Sequence, residues 1–128
     1  MALNEYTLSV NTFLEPDVKS GPEAVCKLLV QLLLLEPNTY DTHPEMGVGI
    51  VSRYRYSFLG HADELQRDFQ NQITKYLPVL TGVVINVREF QRMYYITATF
   101  NKTVYVITVD EAFRINTDYR SLNEIMGG

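Results

Sequence analysis

Residues 24–35 hold ten apolar side chains in twelve, with Lys27 and Gln31 as the interruptions. The run falls short of the roughly twenty residues of a bilayer span, so no membrane segment is expected and a buried helix is. Ser20-Gly21-Pro22-Glu23 offers a start: the Ser20 hydroxyl can accept from the Glu23 amide in a capping box, and Pro22 gives up no hydrogen bond in a first turn. The pattern continues through Val25, Leu28, Leu29, Leu32 and Leu35, with Val30, Leu33 and Leu34 on other sides. Pro37 disfavours helical geometry at Glu36 and stops it. A helix apolar nearly all round is central to its core or covered by another chain, and a small domain rarely surrounds one completely.

The rest of the chain supplies what such a helix packs against. Residues 38–60 are irregular, broken by Pro44, Gly47, Gly49 and Gly60, with an exposed-looking Arg53-Tyr54-Arg55-Tyr56 run. A second helix is predicted over 62–76. Asp63 and Glu64 favour its N-terminal dipole, Leu65, Phe69, Ile73 and Leu77 form one apolar stripe, and Pro78 ends it. Val83, Ile85 and Val87 alternate with Val84, Asn86 and Arg88 as a strand. Residues 94–100 and 103–109 flank Asn101-Lys102 as a hairpin, placing Tyr94, Ile96, Ala98 and Phe100 on the core face with Thr103, Tyr105, Ile107 and Val109. The other face carries Tyr95, Thr97 and Thr99 against Val104, Val106 and Thr108, which have strong strand propensity and little polarity for a solvent face.

At the start, Tyr6, Leu8 and Val10 alternate with Thr7, Ser9 and Asn11, the pattern of a short strand or of a terminal arm. At the end, Tyr119, Leu122, Ile125 and Met126 recur at helical spacing. The expectation is one α+β domain over residues 1–128: two helices on an antiparallel sheet of three or four strands, with a short N-terminal strand or arm and a short C-terminal helical tail.

Charge and cysteine content exclude several classes. Eleven basic against fifteen acidic residues give −4, with no basic surplus for nucleic-acid binding. Residues 1–48 carry a net −5 and residues 49–128 a net +1. One cysteine, Cys26, allows no intrachain disulfide and no cysteine-rich zinc site, in keeping with a reducing compartment. The first residues lack the basic start and apolar stretch of a secretory signal, so export by that route is not expected.

Catalytic constellations are sparse. His43 and His61 lack metal-ligand spacing, Gly47-Val48-Gly49 is too little for a nucleotide site, and no nucleophile elbow or phosphate loop occurs. No catalytic residue, metal or cofactor is assigned. The carboxylates Glu36, Asp41 and Glu45 share the long loop, and a glycosidase needs two such groups at a set separation.

The order of features carries more than any one motif: a Leu-rich helix ending in a Pro turn, Pro44-Glu45-Met46-Gly47, an amphipathic helix closing on Tyr76-Leu77-Pro78-Val79, a Val/Ile strand and a hairpin. Over roughly residues 22–112 this resembles the baseplate wedge and sheath-initiator family of contractile phage tails and related injection machines. That family has Pro-Glu-Phe-Gly in the loop and Tyr-Glu-Pro-Arg at the helix end. Pro44, Glu45, Gly47, Tyr76 and Pro78 match, Met46 replaces the aromatic, and Leu77 and Val79 stand where the family has Glu and Arg.

The resemblance implies a structural, non-enzymatic virion protein of the tail baseplate, assembled in the host cytoplasm, with multiple copies in a ring around the tail tube. Its implied partners are wedge proteins, tube-proximal proteins and the tail sheath, with no nucleic acid or membrane. Pro44, Glu45, Met46, Gly47, Tyr76, Leu77 and Pro78 are then the wedge-side contacts. The hairpin residues Tyr95, Thr97, Thr99, Val104, Val106 and Thr108 are expected to offer a strand edge to the sheath by β-augmentation. An old lysozyme label on the same family gives the alternative: a peptidoglycan hydrolase using Glu45 with Asp41 or Glu36.

Overall fold

In the computed structural model, which describes residues 21–121, helices lie on one face of a four-stranded antiparallel sheet, an α+β arrangement. The helices are α1 (Pro22–Leu34), the short α2 (Ile50–Tyr54) and α3 (Ala62–Tyr76), followed by a 3₁₀ turn at Pro78–Leu80. The strands β1 (Val84–Phe90), β2 (Met93–Phe100), β3 (Thr103–Val109) and β4 (Ile115–Ser121) form a meander in chain order.

Helix α1 has Gly21 as its N-cap, at φ 89°, with Pro22 in the first turn; the expected capping box turns on Ser20, which lies outside the described residues. At its other end the chain turns extended at Leu35, ahead of Pro37.

The apolar girth of α1 is met largely within the chain, which favours the first of the two alternatives, a helix central to its own core. Val25, Leu28, Leu29, Leu32 and Leu33 are buried, and the long loop returns to wrap the C-terminal turns with buried Met46, Val48 and Ile50. The loop also satisfies carbonyls that a helix end leaves orphaned: Val48 N–H donates to Leu32 O at 3.1 Å and Gly49 N–H to Leu35 O at 2.9 Å. Each fully buried Leu contributes about 2 kcal/mol, so Leu29, Leu32 and Leu33 alone anchor the helix firmly. Val30 and Leu34 stay half-buried.

Helix α3 follows its predicted span, and Leu65, Phe69 and Ile73 turn the stripe into the core, with Leu77 completing it just past the helix. The strand registers follow from side-chain alternation. Tyr94 pairs with Val109, Ile96 with Ile107, Ala98 with Tyr105 and Phe100 with Thr103, as predicted. Asn101-Lys102 and Gln91-Arg92 both hold positive φ at each central residue, the signature of type I′ hairpin turns that match strand twist.

The fourth strand overturns the expected helical tail at Tyr119, which sits in β4 opposite Tyr105. The helical spacing rested on one member inside the strand; Leu122, Ile125 and Met126 lie outside the described residues, as does the N-terminal strand pattern at 6–11. Within 115–121, Ile115, Thr117 and Tyr119 alternate with Asn116, Asp118 and Arg120, a period of two that pairing with β3 selects. The connecting loop is fixed by Asp110, whose carboxylate accepts from the Ala112 and Arg114 backbone amides at 2.9 Å each.

Candidate interaction site

The loop of the first sequence motif meets the last turns of α3, which lead into the second, at one corner of the molecule. Gln72 of α3 clasps the loop: the Gly47 N–H donates to Gln72 Oε1 at 2.7 Å, and Gln72 Nε2 donates to the Glu45 carbonyl at 2.9 Å. One helical turn on, Lys75 pairs with the Glu45 carboxylate at 3.4 Å and lies 5.2 Å from the centroid of the Tyr76 ring. The His43 ring meets Tyr76 edge-on at 5.9 Å. Residues some thirty positions apart thus form one surface because α3 delivers its last turn beside the loop.

Gly47 is fixed by sterics. At φ 119° a Cβ would stand 2.2 Å from the Leu35 carbonyl oxygen, so only glycine lets the loop cross the end of α1.

The seven expected wedge-side residues divide sharply. Pro44, Glu45 and Pro78 are exposed, while Met46, Gly47, Tyr76 and Leu77 are buried and cannot serve as direct contacts without rearrangement. Met46 packs into the core because the loop must close over α1, and Leu77 because it ends the α3 stripe. Val79, one of the departures from the family pattern, is exposed beside Pro78. Pro44, Glu45 and Lys75 are therefore the exposed residues of the corner, and Pro78 and Val79 the exposed residues just past the end of α3. Inside the corner, Glu45, Arg53, Asp68, Asn71 and Lys75 line a polar groove of about 270 Å³, with Arg53 and Asp68 ion-paired.

The loop carboxylates do not gather there. Glu36 accepts from the Ser52 hydroxyl at 2.5 Å, and neither it nor exposed Asp41 lines the groove of Glu45. Glu45 itself is open to solvent, with a lysine for its partner.

The Arg53-Tyr54-Arg55-Tyr56 run is not uniformly exposed. Tyr54 is buried in α2, stacked on His61 at 4.7 Å, and donates to Glu64 Oε1 at 2.8 Å; burial, reinforced by Glu64, pushes its hydroxyl pKa well up. Its neighbour Tyr56 is 91% exposed. Within the run only Tyr54, the last residue of the five-residue helix, turns inward; Arg53, Arg55 and Tyr56 stay exposed.

The six expected edge residues correct a second expectation. Tyr95, Thr97 and Thr99 lie on β2 and Val104, Val106 and Thr108 on β3, the two inner strands, whose ladders are filled on both sides. They offer side chains on the open face of the sheet, half-buried among themselves, between exposed Val84 and Phe90 and the outward residues of β4.

The true edges are β1 and β4. The edge of β1 is closed by two glutamines one helical turn apart. Gln70 Oε1 accepts from Ile85 N–H at 2.9 Å and its amide donates to Val83 O at 3.1 Å, while Gln66 Oε1 accepts from Val87 N–H at 2.8 Å. Side-chain amides here mimic a strand and blunt the edge. Sequence alone gave no sign of this, since two polar residues on an amphipathic helix read as solvent-facing. Among the described residues no strand pairs the outer side of β4.

No family model matches the chain, and no curated protein or solved structure matches it either. Among the described residues, no helix is long and apolar enough to cross a membrane, and no three His, Cys, Asp or Glu side chains cluster as metal ligands.

Proposed function

We propose that this chain is a structural component of a contractile phage tail baseplate, joining wedge proteins to the tail-tube region and nucleating the sheath by strand addition. The observation that carries the reading is that the last turns of α3, through Gln72, Lys75 and Tyr76, hold the loop that carries Pro44-Glu45-Met46-Gly47. The loop and the end of this helix are the segments on which the family resemblance rests, and these contacts give their proximity a physical reason. The wedge side is then Pro44, Glu45, Pro78 and Val79, held in place by buried Met46, Gly47, Tyr76 and Leu77. The substitution of the family's Arg by Val79 makes this contact more apolar.

For the sheath, β4 replaces the central hairpin as the accepting edge. An extended segment adding there gains main-chain hydrogen bonds that depend little on side-chain identity. The blunted β1 edge would direct addition to one side of the sheet.

Co-expression with the sheath and wedge proteins of a contractile tail from the same genome tests the proposal. Co-purification with both is expected; a chain that is recovered folded and binds neither contradicts it.

A further inference from the structure

We propose that, in the free protein, β4 pairs antiparallel with β4 of a second copy, about a two-fold axis at Tyr119. The inference rests on the sheet alone and not on the baseplate reading.

Hydrogen-bond alternation fixes which groups of β4 face outward. Ile85 and Val87 direct their amides away from β2, toward the glutamines. Carrying that alternation through the registers places Val104, Val106 and Thr108 in hydrogen-bonded pairs with Arg120, Asp118 and Asn116. The next pair in that series, Asp110 with Arg114, is bonded as required, Asp110 N–H donating to Arg114 O at 3.2 Å. The backbone groups of Ile115, Thr117 and Tyr119 therefore point out of the sheet.

Charge then selects a register. Two-fold pairing centred on Asp118 sets that carboxylate against its own copy, and pairing centred on Thr117 sets Arg120 against the partner's Arg114. Centred on Tyr119, Asp118 lies opposite the partner's Arg120, and Arg120 opposite the partner's Asp118. Both are non-hydrogen-bonded pairs, the kind in which side chains approach most closely. Within one chain Asp118 and Arg120 make a loose pair at 3.7 Å, each well exposed, so both are available for exchange. The Tyr119 residues meet as a hydrogen-bonded pair on the axis.

Apolar surface lies along the same edge. Cys26, Val30 and Leu34 of α1 with Phe113, Ile115 and Tyr119 supply the apolar lining of a groove of about 550 Å³ between α1 and β4, which Glu23, Lys27, Thr117 and Asp118 also line. Bringing two such edges together removes that surface from water along with the backbone groups.

Sedimentation equilibrium of the full chain tests this. The wild type is expected to dimerise, more weakly as salt rises. Asp118→Arg and Arg120→Asp should each weaken self-association by about tenfold or more, because two attractive cross-strand pairs become repulsive. An equimolar mixture of the two variants should form a heterodimer, and the double reversal should restore the homodimer. A wild type that stays monomeric overturns the proposal, whether the Thr117 and Tyr119 amides exchange freely or are protected by some other segment. A dimer insensitive to salt and to both reversals overturns it equally.

Discussion

Gln72 holds the backbone on both sides of Met46, accepting from the Gly47 amide and donating to the Glu45 carbonyl. This clasp ties the loop to α3 and leaves Glu45 and Pro44 facing outward as a rigid pair. Gln72→Leu removes both bonds and leaves a part-buried amide unsatisfied, so a loss of about 2 kcal/mol is expected in urea unfolding. Amide exchange should rise at Gly47.

Gly47→Ala is expected to cost about 3 kcal/mol, since both the positive φ and the approach to Leu35 O forbid a side chain. Gly82→Ala provides the control. Its φ is also positive, yet nothing stands within 4 Å of an added Cβ, so the loss should be smaller, about 1 kcal/mol.

Removing the glutamine screen uncovers a second edge. Gln66→Ala with Gln70→Ala is expected to lower stability by about 2–3 kcal/mol and to promote concentration-dependent aggregation, followed by light scattering. Solubility unchanged from wild type would show that the glutamines do not guard β1.

Acid should loosen β4 first. The backbone amide of Arg114, followed by its side chain and the Ala112 amide, holds the Asp110 carboxyl below its ordinary value of 3.8. Because the folded value is depressed, the stabilisation is present above pH 3.8 and is lost as pH falls through the lower folded value. Arg92 acts similarly on Glu111 in the facing turn. Protection of the Ala112 and Arg114 amides, taken relative to their intrinsic exchange rates, should therefore fall as pH drops below about 4 in wild type, and Asp110→Asn should show lowered protection with little of that pH dependence.

Much of this was legible in the chain. The α3 stripe, its Pro stop and the register of the central hairpin all follow from local periodicity and turn chemistry, which tertiary packing then respects. What local pattern could not show depends on long-range closure. Leu35 and Gly47 are twelve positions apart, and only their contact explains how the chain envelops its own Leu-rich helix. Tyr119 fitted a helical spacing as readily as a strand, and pairing with Tyr105 decides between them. Burial of Met46 and Leu77 inside motifs expected to touch partners has the same origin: the motifs include their own scaffolding.

That division separates stability from binding. Glu45→Lys with Val79→Asp changes only exposed side chains, so stability should stay within about 0.5 kcal/mol of wild type while wedge co-purification falls about tenfold or more. Leu77→Ala should instead cost about 3 kcal/mol through a core cavity.

The most direct measurement is a cryo-electron microscopy map of contractile tails assembled from the genome that encodes this chain. The account predicts a ring of copies around the tube at the baseplate, with Pro44, Glu45, Pro78 and Val79 against the wedge and a sheath strand along β4. Complete, contractile tails whose map contains no density for this chain would contradict it.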